Sequence, residues 1–108
     1  MLLGGGELPV APDLIDLFVA LAKPDGARTA FVLAHEARRA GLQAQLELAG
    51  RSLKGQLKHA DRIGARYVAI VGDEGAAPVS LKNMESGAQQ ETHAENVIPT
   101  ILRGSRLS

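Results

Sequence analysis

The 108-residue chain contains no cysteine, and that absence removes disulfide staples, thiolate nucleophiles and cysteine-based zinc sites together. Tryptophan is missing too, and one tyrosine and two phenylalanines are the whole aromatic complement. The core must therefore be assembled from Leu, Val, Ile and Ala. Phe18, Phe31 and Tyr67 all fall in core-like patterns, so no aromatic platform on which RNA bases could stack is expected. No apolar run approaches the roughly 18 residues of a membrane helix, and the N-terminus has no basic region leading into a long apolar stretch. The expectation is a cytoplasmic chain with neither a membrane contact nor a secretory signal. Charge of one sign is lacking as well: 12 Lys+Arg cancel 12 Asp+Glu. Nucleic-acid binders more often carry an excess of base, because neutralising phosphates supplies much of the affinity. Any such surface here has to be local.

Residues for chemistry are equally scarce. His35, His59 and His93 are isolated, none three or four residues from another, so the ligand count of a metal site is not met. Ser52 has no Gly-x-Ser-x-Gly elbow around it. Gly4-Gly5-Gly6 could be read as a phosphate loop, but such a loop follows a strand and opens a helix. This triplet runs into Glu7-Leu8-Pro9 instead. The sequence predicts no catalytic residue, no metal and no cofactor.

What is present reads as one domain. The length suits a single modest core, and residues 1–12, with their glycines and two prolines, read as a lead-in linker. Residues 13–22 are almost continuously apolar, the pattern of a strand buried on both faces. After the turn Pro24-Asp25-Gly26, the positions Ala30, Leu33, Ala34 and Ala37 predict a helix over 27–40, stopped at Gly41. Residues 43–48 alternate, with Ala44, Leu46 and Leu48 on one face and Gln43, Gln45 and Glu47 on the other, which predicts a half-exposed edge strand. Ser52 suits the N-cap of a second helix whose inner face is Leu53, Gln56, Leu57, Ala60 and Ile63, ending at Gly64. Buried strand 66–71, shorter strands at 79–84 and 89–92, and a helix entered through a Thr92/Glu95 capping box complete the order. Pro99 falls inside that last helix. The fold class is α/β: a three-layer domain with a five-stranded mixed sheet flanked by about three helices. The alternating part demands parallel pairing, and the late strand pair must be antiparallel.

Two features bear on function. Lys54, Lys58 and Arg62 recur four residues apart, one basic stripe along the second helix, with Arg51 just before it and the helix's opening amides, near Ser52, suited to phosphate. A stripe of this kind is also what a plain solvated face looks like. Asp73 and Glu74 follow the strand that ends at Gly72. A phospho-acceptor domain would need further acids after the first strand, which here ends Leu21-Ala22-Lys23. The two acids are then a solvated loop or acceptors for base amino groups.

The run from Gly50 to Gly72, with Ser52-Leu53-Lys54 at a helix entry, Ala60-Asp61, Gly64-Ala65 and a strand closing on Gly72-Asp73, closely resembles the anticodon-binding domain of histidyl-tRNA synthetases. Val79-Ser80-Leu81-Lys82-Asn83-Met84 is similar to the family's next strand, and Ser86-Gly87-Ala88-Gln89 to its Ser/Thr-Gly-Glu-Gln turn. Two positions depart from the pattern: Gly75 and Ala88 stand where the family usually has acids. The resemblance implies a non-catalytic domain over 13–103, with 104–108 a tail and 1–12 a linker or a remnant of a preceding catalytic core. It implies as partners the anticodon stem-loop of histidine tRNA, the synthetase catalytic core, fused or separate, and a homodimer formed through that core. The residues implicated in tRNA binding are Arg51, Ser52, Lys54, Lys58, Arg62, Asp73, Glu74, Lys82 and Gln89. The alternative is a protein-interaction or regulatory domain of the same fold that has lost base recognition.

Overall fold

A computed structural model of the chain describes residues 15–47, 50–72 and 78–107. In chain order the elements are β1 (Ile15–Leu21), a 3-10 turn (Pro24–Gly26), α1 (Ala27–Arg39), β2 (Ala44–Leu46), α2 (Leu53–Arg62), β3 (Ala65–Val71), β4 (Val79–Asn83), β5 (Gln89–Thr92) and α3 (Ala94–Leu107). They form one five-stranded sheet in the order β2-β1-β3-β4-β5. β1 pairs in parallel with β2 and β3, while β4 runs antiparallel to both β3 and β5. The mixed sheet and the element order are those the sequence predicts. The two long apolar runs form the inner strands β1 and β3, which helices cover on both faces, and that double burial is why neither alternates.

Two cores result. On one face Ala30, Leu33, Ala34 and Ala37 of α1, with Val97 and Ile101 of α3, pack on Leu17, Val19, Tyr67, Ala69, Val71, Val79 and Leu81. On the other, Ala60 of α2, helped by Leu53, Leu57 and Ile63, packs on Phe18, Ala20 and Val68. Alanine at the helix contacts lets the backbones approach the sheet closely, which suits a chain with so few large side chains. α2 ends where Gly64, at φ 76°, reverses the chain into β3; only a residue without Cβ takes that conformation freely.

Four expectations need correction. The edge strand is shorter than the alternation suggests, ending at Leu46. Glu47 is not on the solvent side but buried, at 5% exposure, because it turns inward to accept hydrogen bonds from the Arg51 amide and guanidinium. Phe31 is 62% exposed rather than part of the core: it follows Ala30 by one residue, a step of about 100° around a helix. The Thr92/Glu95 capping box does not form, since Thr92 closes β5 and α3 begins at Ala94, which leaves Glu95 one position too early in the helix to reach back. Asp13, Leu14 and Leu48, at the ends of two predicted strands, lie outside the described residues. Among the described residues no helix is long and apolar enough to cross a membrane.

Candidate nucleic-acid interface

The face that carries α2 is built from its entry outward. The Ser52 side chain accepts a hydrogen bond from the Gly55 amide at 3.2 Å, the N-cap arrangement expected from the sequence. Arg51, immediately before it, is held by Glu47: Nη1 donates to Oε1 at 2.8 Å and the backbone amide to Oε2 at 3.1 Å. The Glu47 side chain is only 2% exposed while that of Arg51 keeps 37%. Arg51 therefore anchors the helix entry first, and its charge is partly compensated before any ligand arrives.

Gln56 does more than its place on the inner face of α2 suggests. It is 2% exposed; its Oε1 accepts from the Leu21 amide at 2.7 Å, and its Nε2 donates to the carbonyls of Leu21 and Arg51, both at 2.8 Å. From Leu17 onward the odd-numbered backbone groups of β1 face β2: the Leu17 amide donates to the Gln43 carbonyl and the Val19 carbonyl accepts from the Glu47 amide. Leu21 is next in that series, beyond the point where β2 has ended. The Gln56 amide thus occupies the ladder position that β2 vacates, and it fixes α2 to the carboxyl end of β1. The sequence offers only a polar residue at a core position as a signal.

With α2 so fixed, Lys54, Lys58 and Arg62 are all exposed on its outer side. Among the described residues none of the three has an ion-pair partner, so the stripe is an uncompensated row of charge. Beneath α2, the register aligns Phe18 with Val68, Val68 with Lys82, and Lys82 with Gln89. Phe18 and Val68 lie in the core under the helix; the same row then emerges as half-buried Lys82 and exposed Gln89. The sequence-predicted residues Lys82 and Gln89 are therefore direct cross-strand neighbours, on the same side of the sheet as the basic stripe. Arg66, two residues before Val68 on β3, belongs by alternation to this face as well; strand periodicity alone could have found it. Asp73, Glu74 and Gly75 lie outside the described residues. His59 packs edge-on against Phe18, with ring centroids 5.6 Å apart.

The comparisons with known proteins agree with this architecture. The family model described as "Anticodon binding domain" matches residues 17–103. The histidine–tRNA ligase of Halothermothrix orenii is 38% identical over 96 residues, which cover 87% of this chain and 23% of that protein. Among solved structures, the apo histidyl-tRNA synthetase of S. aureus superposes with a TM-score of 0.73 at 28% identity, over 82% of this chain and 23% of that one. The RNA-binding domain of threonyl-tRNA synthetase from Cryptosporidium parvum shares the fold at a TM-score of 0.72, with 13% identity over 82% of this chain and 23% of that one. The chain spans about a quarter of the length of the curated relatives it matches. By sequence and by fold, the chain belongs to the anticodon-binding domain family, as the domain of the histidyl-tRNA synthetase type.

Proposed function

We propose that this chain binds the anticodon stem-loop of histidine tRNA and performs no chemistry by itself. The observation that carries the reading is the gathering of basic groups on one side of the sheet. Lys54, Lys58 and Arg62 stand in an exposed row on α2, and Lys82 and Gln89 emerge beside that helix as a cross-strand pair. The row provides sequence-independent attraction to phosphates, whereas groups on the sheet and in the following loop discriminate bases. The opening amides of α2, next to the Ser52 cap, add a phosphate site. Lys82 donates to base acceptors, Gln89 offers both a donor and an acceptor, and Asp73 and Glu74 accept from base amino groups. Arg51 contributes chiefly by holding the helix entry in place, with its exposed part adding positive potential. Aminoacylation, and any dimer formed through a catalytic core, belong to the remaining three-quarters of such synthetases, with which this domain acts in the cytoplasm.

Lys82→Ala tests the base-reading part. It is expected to reduce discrimination between the histidine anticodon loop and a loop with altered bases by roughly 1–3 kcal/mol, the worth of a good base contact. Equal losses on both loops would make Lys82 a phosphate or structural residue instead.

A further inference from the structure

The opposite side of the molecule carries a second surface, outside the proposed tRNA-binding face. α1 buries Ala30, Leu33, Ala34 and Ala37, and its outer face presents Val32, a large apolar residue left 50% exposed. Val32 stands at the edge of a groove of about 660 Å³ between α1 and α3, whose lining is apolar at Leu33, Ala94, Ile98 and Pro99 and charged at Arg28, Glu36 and Glu95. A surface on which an apolar edge and a largely apolar groove lie side by side can meet a reversed copy of itself, edge to groove.

The charges around Val32 share that self-complementarity. Asp25 and Arg28 precede it by seven and four residues; Glu36 and Arg39 follow it by four and seven. All four are exposed, and among the described residues none has an ion-pair partner. Reversing the helix about Val32 sets Arg28 against Glu36 and Asp25 against Arg39. A parallel arrangement in register would set each against its own like. On the helix rise, the inner pair falls about 6 Å from the centre; Asp25 lies just before α1, in the 3-10 turn.

We propose that two copies of the chain associate through α1, antiparallel about a two-fold axis at Val32, with the Val32 edge of each copy seated in the α1–α3 groove of the other. Apolar contact supplies cohesion, and the charge pattern selects the antiparallel register. The interface is small, so association is weak, on the order of 10–100 µM as expected at the low end of interface size. It lies across the sheet from α2 and leaves the proposed tRNA surface open. The two readings stand or fall separately.

Sedimentation equilibrium of the 108-residue chain from about 10 µM to 1 mM tests this, with circular dichroism confirming that each variant folds. The weight-average mass is expected to rise with concentration from 11.3 kDa towards twice that value. Arg28→Glu and Glu36→Arg are each expected to weaken association about tenfold, because each substitution disturbs two symmetry-related pairs. The double variant, with the charges exchanged, is expected to recover to within about threefold of the parent. Residues 28 and 36 are too far apart to pair within one helix, so such recovery arises only between copies. A constant mass of one chain, single variants that associate as the parent does, or a double variant that stays weak each overturn the proposal. A chain that remains monomeric but binds a separately produced synthetase catalytic core through Val32 also overturns it, and reassigns the face to domain packing.

Discussion

Replacing Gln56 with leucine isolates the contribution of one side chain to the placement of the whole α2 face. The native amide makes three hydrogen bonds of 2.7–2.8 Å, two to the backbone of Leu21 and one to the carbonyl of Arg51. Leucine fills a similar volume, so no large cavity opens, but the Leu21 amide and carbonyl lose the partner that, among the described residues, they have on that edge. Each buried polar group left without a partner costs about 1–3 kcal/mol. These groups are part-buried, and water can reach some of them after local relaxation. The expected loss is therefore about 3 kcal/mol, a large share of the roughly 5–15 kcal/mol that holds a domain of this kind together. Urea unfolding followed by circular dichroism measures it, with an unchanged m-value showing that the compactness of neither state has shifted. Gln56→Glu separates hydrogen bonding from packing: it keeps the acceptor for the Leu21 amide but turns a carboxylate towards two carbonyls, and it should be at least as harmful. A loss below about 0.5 kcal/mol for leucine would refute the ladder role, since it would mean that the Leu21 groups are satisfied without Gln56.

Two other substitutions probe the same scaffold. A Cβ on Gly26 would meet Val71 Cγ1 at 2.7 Å and the Gly72 carbonyl oxygen at 2.9 Å; Gly26→Ala should therefore cost about 1–3 kcal/mol by overpacking, read as a lower urea midpoint, and a neutral result would show that β3 yields easily there. Arg51→Ala leaves the buried Glu47 carboxylate without its cation. Since Arg51 is itself more than a third exposed, the loss is expected to stay near about 1–2 kcal/mol rather than the roughly 3–5 of a fully buried pair. The Glu47→Gln/Arg51→Ala double variant should recover part of it in the same unfolding assay, and no recovery would argue against the pair as the cause.

Most of the architecture is legible in the sequence because the strongest signals are periodic. The uninterrupted apolar runs of β1 and β3 announce inner strands, and the spacing of Ala30, Leu33, Ala34 and Ala37 announces a helix face. The basic stripe is legible for the same reason: a four-residue repeat on a helix whose inner face is known can only point outward. What escapes depends on contacts between residues whose placement the local pattern does not set. The inward turn of Glu47 is set by Arg51, and the role of Gln56 by the early end of β2, neither of which alternation can reveal. Phe31 misleads because hydrophobicity is not burial; its neighbours Ala30 and Leu33 face the sheet, and Phe31 is rotated off it. The pairing of Lys82 with Gln89 is likewise invisible, because register across the β4–β5 turn depends on how the turn folds, here with Gly87 at φ 82°.

The most direct test of tRNA recognition is a titration of the folded chain with histidine tRNA and with an unrelated tRNA across a range of salt, repeated for Lys54→Glu, Lys58→Glu and Arg62→Glu. With zero formal net charge, long-range attraction is nearly absent, and binding of the domain alone is expected in the micromolar range or weaker at low salt. Each reversal should weaken binding to both tRNAs and flatten the dependence of log affinity on log salt by about one unit. A preference for histidine tRNA should persist through all three if, as proposed, the stripe meets phosphates and other groups read the bases. No binding to either tRNA at low salt, or binding that ignores all three reversals, would contradict the assignment of this face to tRNA.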